Sequence, residues 1–198
     1  MSHYYKNDES LEDKIKTIKV NVRDLDLTFK TNSGVFSKDG LDYGSRVLIN
    51  NVLLKDSKIK IADVGSGYGP IGISLAKLYP NSNVFMFDVN ERAVNLSIEN
   101  AKINNVSNIE ANISDILSKA NNYFDVVVTN PPIRAGKDIV FKIYEESYEK
   151  LVSGGVIYSV IQRKQGAPSS FNKLLEVFGN CEVIDKNKGY WILYSRKL

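Results

Sequence analysis

The chain has 198 residues, 43% apolar and 25% charged, a composition that builds one α/β domain with an ordinary core and excludes a disordered polyelectrolyte. Its 26 basic and 23 acidic residues leave a net charge of +3, too small an excess to mark a nucleic-acid binder by itself. A single cysteine, Cys181, and a single histidine, His3, exclude an internal disulfide framework and a multi-cysteine zinc site, and weigh against histidine catalysis. The first residues are polar and unlike a signal peptide, and no run approaches the ~18 apolar residues of a membrane helix. The expectation is a cytoplasmic protein with neither membrane contact nor a metal.

Residues 2–12 read as a polar tail. Ile18, Val20 and Val22, then Leu25, Leu27 and Phe29, alternate on either side of Arg23-Asp24, which predicts a β-hairpin outside the main sheet. Residues 31–40 are rich in turn formers. Residues 42–54 predict a helix with Val47, Leu48, Val52 and Leu53 on its apolar side. A strand–helix rhythm follows: strand 59–64, helix 70–78 with proline in its first turn, strand 84–89, and a helix capped by Asn90 and running to Asn104. Next come strand 109–113, a turn near Ile116, a nearly all-apolar strand 124–129, helix 139–151, strand 155–161 and helix 168–178. Strands 181–185 and 190–195 are joined by Lys186-Asn187-Lys188-Gly189, too short for a crossover helix, so they pair antiparallel. Tyr190, Trp191 and Tyr194 are expected in the core. The pattern predicts a doubly wound, mostly parallel sheet in a single domain, 1–198, with tail and hairpin over 1–31 and the core over 42–198.

Two motifs carry chemistry. Asp63-Val64-Gly65-Ser66-Gly67-Tyr68-Gly69 links a strand to a helix, where glycines permit a tight turn and close backbone approach to a ligand. The carboxylate of Asp63 would repel a pyrophosphate at that helix N-terminus but suits the ammonium of a methionine moiety, directly or through water. This favours S-adenosylmethionine over a nicotinamide dinucleotide. Asp88 ends the next strand and can accept from ribose hydroxyls, and Val89 can pack on adenine; Asp115, after the third strand, resembles the residue that methyltransferases place there to accept from the adenine amino group.

The second motif is Asn130-Pro131-Pro132-Ile133 at the end of strand 124–129. Asn130 Oδ1 and the Pro131 carbonyl can accept both hydrogens of a planar NH2, favouring a more pyramidal and nucleophilic nitrogen as methyl transfer proceeds. Pro131 and Pro132 stiffen the corner and bring no competing N–H. Ile133 offers an aliphatic contact to a base, and Arg134 and Lys137 flank the corner as candidate substrate contacts. Arg163 and Lys164 follow the strand expected beside it and are candidates for RNA phosphates.

These features resemble the class I S-adenosylmethionine-dependent methyltransferases over residues 42–198, whose Rossmann-like sheet has seven strands, mostly parallel, with an antiparallel last strand. With Gly34-Val35-Phe36-Ser37, Asp42-Tyr43-Gly44-Ser45 and Phe87-Asp88-Val89-Asn90-Glu91-Arg92-Ala93 added, the chain is similar to the ribosomal RNA small-subunit methyltransferase C family. It resembles the short members, which lack the degenerate second copy of the domain. The resemblance implies S-adenosylmethionine as cofactor, Phe36 and its loop over that cofactor, guanine N2 of 16S ribosomal RNA as acceptor, and ribosomal RNA or the 30S subunit as partner. The position of Ile133 is Tyr, Phe or Trp in related amino methyltransferases, which sets this chain apart from those acting on DNA adenine or protein glutamine. Those two acceptors, a non-catalytic RNA-binding module and a nicotinamide dehydrogenase are the competing readings.

Overall fold

The computed structural model describes residues 15–32, 40–55 and 57–198. The polar tail and the loop bearing Phe36 lie outside the described residues. Strands β1 (Lys16–Val22) and β2 (Leu25–Thr31) form the expected antiparallel hairpin, with Val22 opposite Leu25. Arg23 and Asp24 both adopt left-handed backbone at the turn, φ 47° and 60°. A two-residue turn with both residues at positive φ matches the twist of its strands, though it favours asparagine and glycine. Here the arginine has a compensating use. Its Nη1 donates to the Val52 carbonyl at 3.0 Å and the Tyr79 hydroxyl at 3.1 Å, capping the end of helix α1 (Tyr43–Asn51).

The hairpin buries Val20, Val22, Leu27 and Phe29 against the domain. The outer edge of β2 would otherwise present unpaired backbone groups. Two asparagines one turn apart on helix α3 (Glu91–Ile103) and its cap complete it. Asn100 Oδ1 accepts from Lys30 N–H at 2.7 Å while Nδ2 donates to the Lys30 carbonyl at 2.9 Å; Asn104 repeats the exchange with Thr28 at 2.9 and 2.8 Å. Each side chain imitates one rung of a neighbouring strand. Asn100 Nδ2 also reaches the Tyr68 carbonyl in the glycine turn at 2.9 Å.

The remaining strands are β3 (Lys60–Val64), β4 (Asn83–Asp88), β5 (Ile109–Ile113), β6 (Phe124–Thr129), β7 (Leu151–Gln162), β8 (Glu182–Asn187) and β9 (Tyr190–Arg196). They form one sheet in the order β5-β4-β3-β6-β7-β9-β8. Strands β3 to β7 run parallel, and β9 inserts antiparallel between β7 and β8. Helices α1, α2 (Pro70–Leu78) and α3 cover one face with the hairpin, packing on Ile61, Val84, Met86, Val126 and Val128. Helices α4 (Lys137–Lys150) and α5 (Ala167–Phe178) cover the other, on Ala62, Val64, Val127, Ile157 and Ile161. The sheet's winding reverses between β3 and β6, and a crevice opens there at the strands' carboxyl ends.

Some boundaries differ from expectation. Helix α1 stops at Asn51, and Leu53 is 68% exposed, because Arg23 takes the Val52 carbonyl and ends the helix there. Strand β7 starts at Leu151, extending the expected strand backwards through Gly154 and Gly155, with an irregular register against β6 near Phe124. Helix α4 consequently occupies 137–150. Tyr190, Trp191 and Tyr194 are half-buried flanks of the core. Among the described residues no helix is long and apolar enough to cross a membrane.

Replacing Asn100 tests the clip. Asn100→Ala leaves the Lys30 N–H and the Lys30 and Tyr68 carbonyls without this partner, and urea unfolding should register a loss of about 2–3 kcal/mol. A loss under about 0.5 kcal/mol, the scale of an ordinary surface change, would show that the hairpin is held by its apolar face alone.

Candidate active site

The glycine turn between β3 and α2 is tied down from beneath. Gly65 and Ser66 N–H groups both donate to the Phe87 carbonyl, at 2.9 and 3.0 Å, and Gly67 N–H donates to Asp88 Oδ2 at 2.8 Å. Gly65, Gly67 and Gly69 have φ of 75°, 56° and 93°, a conformation other residues rarely adopt. At Gly72, in the first turn of α2, the constraint is space: a Cβ would lie 2.7 Å from Met86 Sδ. Helix α2 therefore approaches β4 closely enough to bring its N-terminus to the crevice.

Asp63 is wholly buried, with Oδ2 accepting from Gly72 N–H at 2.8 Å and Oδ1 lacking a partner. Burial pushes its carboxyl up to about 7; the Gly72 hydrogen bond opposes this and the nearby Asp88 adds to it. The carboxyl thus braces an orphan donor of α2 and acts on the crevice through its field or a bridging water. Asp88, 3% exposed, also holds backbone: Oδ1 accepts from Asn90 N–H at 2.9 Å while Oδ2 holds Gly67. Asn90 caps α3 as expected, accepting from Arg92 and Ala93 N–H. Val89 is 38% exposed at the same edge, an open apolar surface suited to a flat ring. The Ser66 hydroxyl is buried without a partner, a second unsatisfied polar group of the turn.

After β5 the chain turns sharply. Ser114 N–H bonds the Asp88 carbonyl at 2.9 Å, and Ile116 adopts a φ of 52°, strained backbone for a β-branched residue. Leu117 N–H is caught by Glu146 Oε2 at 2.9 Å. The Asp115 carboxylate is 61% exposed and pairs with Lys142 Nζ at 2.8 Å, so the structure ties this expected adenine contact to α4.

Strand β6 delivers the second motif beside the first. Thr129 Oγ1 donates to the Val64 carbonyl at 2.8 Å, locking the two strand ends together. A Cβ on Gly65 would sit 3.9 Å from Pro132 Cδ, so the glycine turn and the proline corner touch. Pro131 is buried and Pro132 half-buried. Ile133 begins a short 3-10 turn, Ile133–Ala135, and packs partly against the α4 side of the core. Arg134 and Lys137 are exposed just beyond it.

Asn130 is locked by residues to which the sequence reading gave no role. Its Nδ2 donates to Asp42 Oδ1 at 3.1 Å and to Ser45 Oγ at 3.0 Å. Asp42 is the N-cap of α1 and accepts from Ser45 N–H at 3.0 Å with the same oxygen. An ionised carboxylate only accepts, so it must meet the NH2 end of the amide. Both amide donors are consumed, and Oδ1 accepts from none of the described residues. The signal in the sequence was the helix-start pattern Asp42-Tyr43-Gly44-Ser45 ahead of an apolar stripe. Cys181 stands apart on β8's approach, its thiol pushed up to about 11 chiefly by burial, which disfavours the thiolate.

A polar, cation-favouring turn with an unsatisfied carboxylate oxygen, an open apolar wall at Val89 and an outward amide acceptor within one crevice fit S-adenosylmethionine facing an amine. The comparisons agree with this geometry. Residues 26–194 match the methyltransferase small domain. The chain is 45% identical over 99% of its length to a Bacillus subtilis protein, YbxB, of which it covers 98%. It is 30% identical to the ribosomal RNA small subunit methyltransferase C of Vibrio cholerae over 94% of this chain, but spans only 54% of that relative. Among solved structures, a Thermus thermophilus 16S rRNA N2 G1207 methyltransferase in complex with AdoMet and guanosine shares the fold at a TM-score of 0.83 and 23% identity, covering 96% of this chain and 51% of that one. Sequence match, sheet order and crevice together make this chain a member of the methyltransferase small domain family.

Proposed function

We propose that the protein methylates the exocyclic N2 of a guanine in 16S ribosomal RNA, using S-adenosylmethionine. The observation that carries this reading is the immobilised amide of Asn130, oxygen outward, on the proline corner that touches the glycine turn. The names of its relatives support the choice of base: one is a small-subunit ribosomal RNA methyltransferase, another was captured with guanosine.

S-adenosylmethionine supplies, when bound, a methyl group on a cationic sulfur that leaves as a neutral thioether. The chain's task is alignment. Gly65, Gly67 and Gly69 shape the turn that receives the donor, with Asp63 favouring its positive charge and Asp88 and Val89 addressing ribose and adenine. Asn130 Oδ1 and the Pro131 carbonyl accept from the two N–H groups of the target amine. These bonds strengthen as the nitrogen loses conjugation and gains positive charge, so they favour the transition state over the ground state. A neutral amide oxygen does not remove the proton; it holds it in place until methylation makes the nitrogen acidic and the proton passes to solvent. Ile133 lends aliphatic contact to the base, and Arg134 and Lys137 stand at its entrance. Asp115 contributes to the adenine end through the turn it begins, held by Lys142.

Nucleoside mass spectrometry of 16S RNA from cells with and without the protein tests the reaction. One N2-methylguanosine should vanish with the gene, and purified protein should restore it on 30S particles or their RNA. Label appearing in N6-methyladenosine or in methylglutamine would overturn the assignment of the acceptor.

Asn130→Ala should lower kcat by about 10²-fold or more while donor affinity moves little. Asp42→Ala frees the amide to rotate and should lower kcat by about tenfold, with a cap loss of about 1 kcal/mol that thermal unfolding measures separately. Equal activity in Asp42→Ala and the wild type would show that the lock is dispensable.

The raised carboxyl of Asp63 sets a pH dependence. Its folded value of about 7 against an ordinary 3.8 means the folded free protein holds the extra proton between those values. This group's contribution to stability is therefore full below pH ~4 and is lost as pH rises through ~7. A cationic donor favours the ionised form, so binding should release a proton and tighten about tenfold between pH 6 and 8. Calorimetry in buffers of different ionisation enthalpy reads the proton directly, and Asp63→Asn should abolish the dependence.

A further inference from the structure

The carboxyl end of the sheet is divided by charge. The connections after β3, β4 and β5 hang from Asp63, Asp88 and Asp115 and form the donor half. On the other half, Arg134 and Lys137 follow β6, Arg163 and Lys164 follow β7, and Lys186 and Lys188 lie at the β8–β9 hairpin tip. All six are exposed, and among the described residues none is ion-paired to a carboxylate. The acids nearest in sequence are Asp138 and Asp185, and Asp185 is already held by Asn51 Nδ2 at 2.9 Å.

These cations are also organised. Lys186 Nζ lies 4.6 Å from the Trp191 ring centre, Lys188 Nζ 4.9 Å from Tyr43 and Lys137 Nζ 4.9 Å from Phe141. A stem laid on a ring has less freedom to lose when its ammonium meets an anion. Arg163 N–H bonds the Gly189 carbonyl at 2.7 Å, joining the end of β7 to the hairpin tip. The Tyr43 hydroxyl meets Asn187 Oδ1 at 2.6 Å, and the preceding residue, Asp42, holds Asn130. A continuous run of contacts thus leads from the hairpin tip to the reacting corner. Like charges gathered without carboxylate partners repel one another, and a polyanion relieves that repulsion. Because the surface adjoins the corner, the polyanion that fits it is the backbone of the substrate itself.

We infer that the β7–β8–β9 end of the sheet is the dock for the RNA strand leading to the target base, gripping phosphates through Arg163, Lys164, Lys186 and Lys188. The inference rests on the RNA reading proposed above and adds where the strand lies. Phosphate contacts are largely independent of sequence, so a fluorescein-labelled single-stranded RNA of arbitrary sequence serves as the probe.

Each phosphate neutralised on single-stranded RNA contributes about 0.7 to the slope of log affinity against log salt. In the variant carrying Arg163→Gln, Lys164→Gln, Lys186→Gln and Lys188→Gln, the slope should fall by about 3. Affinity at 0.1 M salt should drop by about ten- to a hundredfold, while calorimetry finds donor affinity unchanged within about twofold. Lys55→Gln with Lys58→Gln, at the opposite end of the sheet before β3, should change RNA affinity less than about twofold. No measurable RNA affinity in the wild type, an unaltered slope in the quadruple variant, or an equal loss per cation in the control would each overturn the dock. Methylation of ribosomal RNA whose KM ignores the quadruple change would remove the dock and leave the reaction. A protein with the cation-dependent slope but no methyl transfer to RNA would remove the reaction and leave the dock.

Discussion

A primary amide can meet a ligand with its oxygen or its nitrogen, and the two ends differ little in shape. In this molecule one carboxylate decides. Asp42 can only accept, so Asn130 must turn its NH2 toward α1 and its oxygen toward the crevice. Reversal would bring two oxygens together and turn a donor, not an acceptor, toward the crevice. The decision is made by the same Asp42 oxygen that caps α1, so the orientation of the acceptor is tied to the integrity of a helix start. Ser45 adds a second anchor one turn along. The lock also depends on the sheet: Thr129 binds the Val64 carbonyl and fixes the corner's distance from the glycine turn.

On the other side of the crevice, two buried acids hold the glycine turn and the start of its helix. Asp63 and Asp88 both hold backbone N–H groups of the turn and its helix, which explains why carboxylates survive at 0% and 3% exposure. The cost is visible in the raised carboxyl of Asp63 and in its unsatisfied oxygen. A cation nearby lowers that cost, while a phosphate would raise it. An electrostatic preference for cations at this turn is thus a by-product of how the turn is built.

Most of the fold was legible because its signals are local. Val126, Val127 and Val128 announce a buried parallel strand, Pro70 and Asn90 mark helix starts, and the Lys186–Gly189 link leaves no topology for the last strands except a hairpin. The glycine turn and proline corner could be found for the same reason, and they meet as expected. What was not legible depends on distance along the chain. Asp42 is 88 residues from Asn130, and nothing local distinguishes its capping oxygen from one that also orients a remote amide. Arg23 ends α1 from 29 residues away, which no helix-period pattern at 42–54 could register. The pairing of Asp115 with Lys142, 27 residues on, is likewise invisible in the local sequence. Phe36, read from resemblance, lies outside the described residues.

Asn100 of α3 and its cap Asn104 tie the hairpin to the domain, and Asn100 reaches the glycine turn as well. Asn100 bonds the backbone of Lys30 and the carbonyl of Tyr68 at once, so the end of β2 and the middle of the glycine turn share one side chain. Phe29 packs edge-on against Tyr68, centroids 5.7 Å apart, repeating the link through rings. The chain that leaves β2 at Thr31 therefore sets out from a point fixed relative to the donor turn. The hairpin, which adds nothing to the main sheet, is thus joined to the glycine turn by one amide and one ring pair, so the clip couples the two elements mechanically.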